Sequence, residues 1–591
     1  MAYRISDHCV ACQKCERVCP VRAIRFDGEQ FRIDGTICVE CGACAEVCPR
    51  QAIHPEDYKE QPVTRRDGIL KKDCGFLVIG SGPSGLCAAI RVAEQGYPVT
   101  VLEALNVPGG AGLYATFMRA FGTKWEKDAE LPDLTDDYIR AAMNATHWQL
   151  DYSLVQNAFH ALSECFDWFC TFGEAGQVFA IQDTPYGKSV EMADFRKPSA
   201  PHVMKKYLQR AEELGIEILL NTRAVRLLLE DGKILGVMAE DPAGRLELTC
   251  RTCLIATGNM AVSDEISRFA PEYGRAVHNR NAHRLPSATG DGVRMAEEAG
   301  IPIDEKGVAC HFLGAMPSFF DGDVLRQGLR CEGIRVNLYG ERFLNECLDR
   351  FEAVPLVAKQ SGCLTYNVID SKILYQEILP TIKLPTDIGG NLQRGVPIPG
   401  KPLPMVDFMG FPVPLDENGK PIRSRLLDAG DQSMLKVEKQ DVLDKLKGFV
   451  PLKGAQVCVA DTIEELAEQM GVPAGKLRKT VEHYNEMCRN GRDDDLGKYP
   501  NYMFPVEQAP FIAIKCYLGS DGAFGGIFID DCCRVKGRDG VIKGLYATGD
   551  VTSGNFIKER CSRIEIINDF TWANASGFLA AEDVKKYLAG A

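Results

Sequence analysis

Two short cysteine runs near the N-terminus constrain this chain more than any other feature. The run "CVACQKCERVCP" begins at Cys9 and the run "CVECGACAEVCP" begins at Cys38, and each spaces its four cysteines by two, two and three residues before a proline. Thiolate sulfur is a soft ligand, and closely spaced cysteines converge on a small iron–sulfur core. A structural zinc site would take its ligands from two separated cysteine pairs. The spacing therefore predicts two [4Fe–4S] clusters and disfavours a disulfide-rich module.

The doubled run resembles the one in bacterial ferredoxins, where the fourth cysteine of each run binds the other cluster. The resemblance implies two sets of four ligands. One set is Cys9, Cys12, Cys15 and Cys48, and the other is Cys38, Cys41, Cys44 and Cys19. After these eight, the remaining 16 of the 24 cysteines are scattered along the chain. We expect most of them to be small buried hydrophobic residues.

Length, composition and charge narrow the class of protein. The chain has 591 residues, of which 45% are hydrophobic, and this length suggests about three to four domains. We find neither a secretory leader pattern nor an apolar run of about 20 residues, so we expect a cytoplasmic protein without membrane insertion. The net charge of −13 is spread without long blocks of one sign, which disfavours a nucleic-acid partner.

A glycine-rich turn follows the first module. Residues 1–55 are predicted to form the cluster-binding module, and the polar residues 56–72 a linker. Beyond it, "FLVIGSGPSGLCAAI" predicts a buried strand, a tight turn and a helix, and "VTVLE" predicts a second strand that ends in Glu103. This order predicts a dinucleotide site, in which glycines admit a pyrophosphate to the helix N-terminus and an acid about 20 residues later binds a ribose hydroxyl. The turn residues assigned to the cofactor are Gly80, Gly82, Pro83, Ser84 and Gly85.

The turn alone does not distinguish FAD from NAD. Two later segments, "TCLIATGNM" and "GLYATGDV", each predict a strand followed by a glycine turn, and they place Gly258 and Asp550 at strand ends. A helical segment, "DFTWANASGFLAAEDVKKYL", follows the second of them.

From about residue 72 to the end, the chain resembles the flavoproteins of the fumarate reductase and succinate dehydrogenase family. The matching stretches are "LVIGSGPSGLCAAI", "GGAGLYA", "ATGDGVRMAEEAG", "GERFLNE", "DTIEELAEQMGVPAGKLRKTVEHYNEMCRNGRDDDLGK", "FGGIFIDDCCRV" and "GLYATGDVTSG". The resemblance implies FAD as cofactor, an inserted capping domain, and reduction of an activated C=C bond or the reverse oxidation. It also assigns Gly110, Ala111 and Asp291 to the cofactor site.

The expected fold class is therefore α/β, in which an α+β ferredoxin module is fused to a Rossmann-like FAD-binding domain with an inserted cap. The predicted parts are the ferredoxin module at 1–55, a linker at 56–72, the first part of the FAD-binding domain at 73–300, the cap at 301–440, and the second part of the FAD-binding domain with the C-terminal helix at 441–591. Residues near 305–345 are expected to close the site over the flavin.

The resemblance also implies catalytic residues. Arg330, in "RCEGIRVNLYGERF", matches the family's proton-donating arginine, and it acts either as proton donor or as a clamp on a substrate carboxylate. An arginine has too high a pKa to donate alone, so Glu332 or Glu346 would resupply its proton. His311, in "ACHFLGAMP", and Arg560, in "FIKERCSR", match substrate-binding positions, with Arg563 as a nearby substitute for Arg560.

One position departs from the family. Fumarate-type members carry a histidine four residues before a pair of glycines, whereas "LGSDGAFGG" has Asp521 there. An aspartate repels a substrate carboxylate, so we expect an acceptor other than a small dicarboxylate. The candidates are an enoate with one carboxylate, an enone, or a cyclic or steroid-like alkene. Residues 383–421, rich in proline and glycine, either line such a site or form a surface or homo-oligomer loop.

The number of electrons that each module transfers explains why the two modules occur in one chain. Clusters pass one electron at a time, whereas alkene reduction by a flavin requires two. The chain has no second strand, GxGxxG and helix unit, so we expect electrons from another protein, such as a ferredoxin or an electron-transferring flavoprotein. Two alternatives remain open at this stage. One is a dehydrogenase that runs the reverse reaction, and the other is a redox relay subunit of an electron-transfer or bifurcating complex.

Overall fold

The computed structural model describes most of the chain. The described residues are 3–6, 9, 15, 19, 23–26, 30–36, 38, 40, 42–46, 48, 51–55, 64–113, 119–146, 148–173, 179–184, 187–192, 199–260, 288–305, 308–314, 332–348, 353–378, 396–397, 405–406, 443, 457–523, 525–555 and 569–590. In these ranges no helix combines the length and the apolar character that a membrane span requires.

The N-terminal module is a small α+β unit. Two antiparallel strand pairs form it, Tyr3–Ile5 with Ile53–Pro55 and Ile24–Phe26 with Phe31–Ile33, together with the short helix Ala43–Glu46. One apolar residue from each of three of these strands is buried, and the thiols of Cys15 and Cys44 are buried among them. The cysteines thus supply part of the core of a module that has few apolar residues of its own.

A ten-stranded sheet organises the rest of the chain. Its parallel part has five strands in the spatial order Glu217–Leu219, Val99–Leu102, Phe76–Ile79, Thr252–Ile255 and Gly540–Ala547. Three of these strands are buried at all four positions, because helices cover both faces of a parallel sheet. The sheet is completed by the strands Leu70–Asp73, Arg223–Glu230, Lys233–Asp241, Gly244–Thr249 and Arg534–Gly537. This arrangement agrees with the predicted Rossmann-like order.

Helices surround the sheet. The helices of the described chain beyond the N-terminal module are Pro83–Ala93, Lys124–Asp128, Thr135–Ala145, Tyr152–Cys170, Ser199–Glu213, Asp291–Glu298, Val354–Ala358, Ile463–Met470, Ala474–Asn490 and Asp569–Ala589, with the 3₁₀ turns Gly110–Leu113, Ser361–Cys363, Pro500–Tyr502 and Gly549–Asn555 and a π-helical turn Ile373–Ile378. The C-terminal helix packs closely on Pro83–Ala93, since a Cβ on Gly577 would overlap the carbonyl oxygen of Ser84. Only glycine permits this approach.

A second, antiparallel sheet lies partly in the region that we predicted as the cap. Its five strands are Val308–Gly314, Phe511–Ala523, Leu364–Asp370, Ile334–Val336 and Val457–Ala460. Two of them, Val457–Ala460 and Phe511–Ala523, lie C-terminal to residue 440, where we placed the end of the capping domain. This sheet therefore takes strands from both sides of that predicted boundary.

Small strand pairs complete the fold. Ile303–Asp304 pairs with Gly526–Ile527, so the segment that enters the second sheet runs beside the segment that leaves it. The other small sheets are Arg119–Ala120 with Gly187–Met192 and Phe179–Thr184, and Val396–Pro397 with Met405–Val406.

Candidate active site

The turn after Phe76–Ile79 has the geometry of a phosphate-binding loop. Gly80 has a φ of 108°, and a Cβ there would overlap the Ala256 carbonyl oxygen. At Gly82 a Cβ would meet nothing within 4 Å. Gly82 is the N-cap of the helix Pro83–Ala93, and no side chain caps the helix. The first-turn amides, those of Ser84 and Gly85 in particular, are therefore left to bind an anion at the positive end of the helix.

Glu103 ends the neighbouring strand beside this turn. Its Oε2 accepts hydrogen bonds from the backbone N–H of Ser81 (3.2 Å) and from the Ser81 hydroxyl (2.5 Å), and its Oε1 accepts one from the Leu105 N–H (2.9 Å). Burial raises the pKa of Glu103 above its usual value, and these hydrogen bonds oppose the rise. A carboxylate has about four acceptor positions, so one remains for a ribose hydroxyl.

The loop after Glu103 returns to the phosphate turn. The Gly109 N–H donates to the Ser81 hydroxyl at 3.2 Å. A Cβ on Gly110 would lie 3.5 Å from the Cα of Gly82, so two predicted cofactor residues meet here. The next residue, Ala111, is exposed. The structure thus brings the predicted "GSGPSG" and "GGAG" segments to one place.

The carboxyl ends of the adjacent strands Thr252–Ile255 and Gly540–Ala547 lie on the other side of the candidate cofactor site. The Thr548 N–H donates to the Ile255 carbonyl at 3.0 Å, and a Cβ on Gly549 would lie 2.8 Å from the Ser84 hydroxyl. Asp550 follows directly. Gly258, with a φ of 69°, has open space where a Cβ would stand. Ligands of open parallel sheets bind at this edge, outside the carboxyl ends of the strands.

Two hydroxyls on this side of the candidate cofactor site indicate a place for a polar ligand. The Oγ1 atoms of Thr257 and Thr548 are buried and have no hydrogen-bond partner within the part of the chain that the structure describes. Buried polar atoms nearly always have a partner, so these two mark a place where a bound group completes the site. Together with the open glycines, they fit the dinucleotide that the sequence predicts.

Asp291 has protein partners of its own. It opens the helix Asp291–Glu298, and its carboxylate pairs with the guanidinium groups of Arg223 and Arg294. An acid in the first turn of a helix also interacts favourably with the helix dipole. Its predicted contact with the cofactor stays a prediction.

The predicted catalytic residues are only partly described. Arg330, Arg560 and Arg563 lie outside the described residues. His311 lies in the strand Val308–Gly314, opposite Gly519, and its side chain is not among those described.

Asp521 lies on the strand next to His311. The register pairs Ala309 with Gly522 and Cys310 with Ser520, which makes Asp521 the extra residue of a β-bulge. Bulges redirect side chains and are common beside active sites. The two positions singled out in the sequence are therefore neighbours in the second sheet.

Sequence reasoning missed a buried ion network below this sheet. Both carboxylate oxygens of Glu346 accept from Arg342, at 2.8 and 2.7 Å, and Arg342 also donates to Asp493 at 2.7 Å. Lys498 is buried beside them, 3.5 Å from Glu346, and donates to the Gly333 carbonyl. The Arg335 N–H donates to Glu346 at 3.0 Å. The network thus fixes the strand Ile334–Val336, which follows Arg330 in the sequence. The only sign of this network in the sequence was the charged stretch "RDDDLGK".

The network fixes the protonation of its members. Burial opposes ionisation of Glu346, but Lys498 and Arg342 outweigh it and lower the pKa of Glu346. The pKa of Asp493 is lowered to about 2, because bonds from Arg342 and from the backbone outweigh its burial. A carboxylate held ionised in this way is a poor proton carrier, which counts against Glu346 as a relay group. Glu332 is also buried, and its relay role stays a prediction.

The cysteines of the N-terminal module are free thiols where they are described. Cys15 and Cys44 are buried, and Cys9, Cys19, Cys38 and Cys48 are half-buried. Backbone N–H groups point at three of the sulfurs, from Ala23 to Cys19, from Glu40 to Cys38 and from Ala52 to Cys48, at 3.1 to 3.4 Å.

The thiol chemistry and the N–H donors fit thiolate ligands of iron–sulfur clusters. Cys12 and Cys41 lie outside the described residues. Within those residues, no three His, Cys, Asp or Glu side chains are arranged to hold a metal ion.

Family comparisons match both modules. The model described as "FAD binding domain" matches residues 75–559, and the one described as "4Fe-4S dicluster domain" matches residues 8–52. A vinyl phenol reductase of Lactiplantibacillus plantarum is 24% identical, over 81% of this chain and 90% of its own length. An NADH:acrylate oxidoreductase of Vibrio harveyi is 25% identical over 87% of this chain, which spans 51% of that enzyme. A fumarate reductase (cytochrome) of Shewanella frigidimarina is 24% identical, over 86% and 77% of the two chains.

Solved structures share the fold. A flavocytochrome c3 fumarate reductase in an open conformation superposes with a TM-score of 0.62 at 21% identity, over 88% of this chain and 79% of that one. A 3-ketosteroid Δ1-dehydrogenase of Sterolibacterium denitrificans gives 0.59 at 16% identity, over 87% and 100%. The predicted fold class and the predicted family are thereby confirmed. The chain belongs to the FAD-binding family of fumarate reductase-like flavoproteins and carries a 4Fe–4S dicluster domain ahead of its FAD-binding domain.

Proposed function

We propose that this FAD-dependent oxidoreductase reduces an activated C=C bond with electrons that enter one at a time through the cysteine module. One observation carries the proposal, namely that a single chain joins a 4Fe–4S dicluster domain to an FAD-binding domain whose relatives are named as reductases of acrylate, fumarate, vinyl phenol and urocanate. Saturating one double bond consumes two electrons and two protons. When bound, the clusters supply single electrons and FAD supplies them to the substrate as a pair, in the form of a hydride.

The cofactor site is assigned to the carboxyl edge of the parallel sheet. The amides of Ser84 and Gly85 would hold the pyrophosphate at the helix N-terminus, and Glu103 would bind a ribose hydroxyl. The buried hydroxyls of Thr257 and Thr548 would bind polar atoms of the same cofactor.

The substrate-binding and proton-donating roles are assigned mainly to residues of the predicted cap. Arg330 would deliver a proton to the carbon that does not receive the hydride, and His311 and Arg560 would hold the substrate. Glu332 is the group favoured to resupply the proton, since the ion pairs of Glu346 keep that residue ionised.

Asp521 would limit which alkene substrates can bind. It is the bulged residue opposite Ala309 and Cys310, on the strand next to that of His311, and a carboxylate at this position disfavours a substrate with a second carboxylate. The favoured acceptors are a monocarboxylate enoate, an enone and a cyclic or steroid-like alkene.

A second candidate is the reverse reaction, dehydrogenation of a cyclic ketone. A 3-oxosteroid 1-dehydrogenase of Mycolicibacterium smegmatis is 26% identical over 58% of this chain, and this relative favours it. The potentials of the clusters and the flavin decide between the two directions.

The electron donor is proposed to be a separate protein, a ferredoxin or an electron-transferring flavoprotein, in the cytoplasm. The test is anaerobic. The enzyme is reduced with a low-potential viologen, a panel of enoates, enones and cyclic alkenes is added, and flavin reoxidation is followed. We expect rapid reoxidation by one of these classes. Failure of all of them, or rapid stoichiometric flavin reduction by NADH alone, contradicts the proposal.

The Asp521→His variant tests the substrate limit. Replacing the acid by the residue of fumarate-type enzymes should raise kcat/KM for fumarate relative to the best monocarboxylate by roughly tenfold or more, because a repulsive charge is removed. Asp531→His is the control, since that aspartate lies in a turn after the second sheet. An unchanged ratio in Asp521→His removes this residue from the acceptor site.

A further inference from the structure

A buried apolar contact joins the cysteine module to the FAD-binding domain. Val107, in the loop after the strand Val99–Leu102, is 3% exposed and belongs to the same hydrophobic cluster as Cys15, Cys44, Phe31 and Ile53 of the module. A Cβ on Gly42 would lie 3.1 Å from the Cγ2 of Val107. The FAD-binding domain thus contributes a side chain to the core of the module.

Polar contacts flank Val107 but contribute little. The Asn106 amide nitrogen lies 3.4 Å from Nδ1 of His54, and Lys205 lies 3.8 Å from Glu40. Both charged side chains of the ion pair are well exposed, at 47% and 39%, and solvent weakens such a pair. The contact therefore depends mainly on the burial of Val107.

The residues on one side of this contact belong to the second cysteine run, and those on the other side belong to the loop next to the phosphate turn. On the module side, Glu40 and Gly42 lie within the second cysteine run, between Cys38 and Cys44. On the other side, Val107 is three residues from Gly110, which lies against Gly82 of the phosphate turn. Three residues span at most ~11 Å. The second cysteine run therefore faces the loop that closes the cofactor site.

We propose that Cys38 and Cys44 of the second run, with Cys41 assigned to the same ligand set from the sequence alone, hold the cluster next to the FAD-binding domain, and that Val107 is the positioning residue that keeps it there. The inference rests on the proposed function and specifies its electron route. Two electrons cross this contact, one at a time, for each double bond reduced, and the external donor replaces each of them at the module. Electron transfer slows steeply with distance, so loosening this contact slows the passage.

The first test compares Val107→Asp with Val541→Asp. Val541 is 40% exposed on the strand Gly540–Ala547, so the same change there leaves the contact intact. Protein with full iron and FAD is mixed anaerobically with reduced methyl viologen, without alkene, and cluster and flavin absorbance are followed separately. In Val107→Asp we expect unchanged cluster reduction and flavin reduction at least about tenfold slower, a change of about 1.4 kcal/mol in barrier. Val541→Asp should match the wild type.

Flavin reduction at the wild-type rate in Val107→Asp, with both cofactors retained, overturns the role of Val107. If Val107→Asp loses iron or FAD, the milder Val107→Ala decides by the same criterion, and a rate equal to the wild type again counts against the proposal.

The second test identifies the cluster. Cys12→Ser removes a ligand of the first run and Cys41→Ser one of the second, and the double variant gives the rate at which viologen reduces the flavin directly. After iron content and the EPR signal confirm that one cluster remains in each, we expect Cys12→Ser to keep rapid flavin reduction and Cys41→Ser to fall to the direct rate. The opposite pattern overturns the assignment. If either single variant loses both clusters, the Val107 comparison decides.

Neither test contains alkene. Their failure therefore leaves the proposed reaction standing, whereas a failure of the alkene panel leaves these results unchanged.

Discussion

At the scale of single residues, Glu103 connects the fold to its cofactor. It accepts two hydrogen bonds from Ser81 in the turn that it faces and one from Leu105 in its own loop, and so fixes the turn around the open Gly82. Its carboxylate is buried, and we assign its remaining acceptor position to a ribose hydroxyl. Under this assignment an acid about 20 residues after the turn would reach both the turn and the cofactor, which gives the sequence spacing its physical meaning.

Glu103→Gln should weaken FAD binding. The amide keeps the size of the side chain but removes a charged acceptor, and a hydrogen bond to a charged group is worth about 1.5–3 kcal/mol, so the Kd of FAD should rise roughly tenfold to a hundredfold. Fluorescence titration of the apoprotein with FAD measures it. Glu247→Gln is the control, because Glu247 lies in the strand next to the sheet edge and pairs with the exposed Lys71. A Kd equal in the two variants refutes the assignment of Glu103 to the cofactor.

Asp493→Asn should lower stability with a defined pH dependence. Removing one partner of a buried ion network costs about 3–5 kcal/mol at neutral pH. The pKa of Asp493 is depressed in the folded state, to about 2. Its stabilisation is therefore complete above the unfolded pKa of about 4 and is lost as pH falls toward 2, so the gap between wild type and variant should narrow below about pH 4.

Urea unfolding of both proteins from about pH 5 to pH 3 measures this gap. Asp495→Asn is the control in the same "DDD" run, because Asp495 is exposed and pairs only with the exposed His483 among the described residues. A gap that stays constant down to pH 3 shows that Asp493 does not titrate as described.

At the scale of elements, close packing of the C-terminal helix on Pro83–Ala93 sets the position of the phosphate turn. Gly577 faces the backbone of Ser84, whose amide is assigned to the pyrophosphate. A helix about 490 residues away in sequence thus packs against the N-terminal end of Pro83–Ala93, the end that we assign to the pyrophosphate.

Gly577→Ala should therefore destabilise the fold and weaken FAD binding. A methyl group would overlap the Ser84 carbonyl, and forced separation of packed elements costs about 1–3 kcal/mol. Gly475→Ala is the matched control, since that glycine lies in the helix Ala474–Asn490 with open space around it and alanine there should stabilise by about 0.5–1 kcal/mol. Thermal unfolding separates the two, and equal shifts of Tm would show that the helices yield without cost.

The sequence predicts local features of this fold well and distant pairings poorly. The turn at Gly80, Gly82 and Gly85 was predictable because strand, turn and helix follow one another in the chain. The strands Val457–Ala460 and Phe511–Ala523 were not assigned to the cap, because their partners lie far away in sequence and strand period does not encode pairing. The ion network was missed for the same reason, since Arg342 and Asp493 are 151 residues apart.

At the scale of the whole molecule, the two ends of the electron path can be separated experimentally. On the proposed route, reduction of the flavin depends on the cysteine module and its contact at Val107, whereas reoxidation depends on the proposed substrate residues of the cap. Arg330→Gln should leave flavin reduction by viologen unchanged and slow reoxidation by the best alkene by about 10²–10⁴-fold, because a general acid is lost.

Stopped-flow measurement of each half-reaction tests this. Arg489→Gln, an exposed arginine at the end of the helix Ala474–Asn490, is the control and should affect neither half-reaction. If Arg330→Gln reoxidises as fast as the wild type, the proton donor is another group.

The pairing of Ile303–Asp304 with Gly526–Ile527 ties together the two passages of chain that lead into and out of the second sheet. Gly526 is also pressed against the Val551 carbonyl, one residue from Asp550. This two-stranded ribbon joins the second sheet to the turn at Asp550 that we assign to the cofactor. A movement of the second sheet relative to the parallel sheet would therefore displace the backbone at Val551 as well, so the proposed substrate and cofactor sites would be coupled through the ribbon.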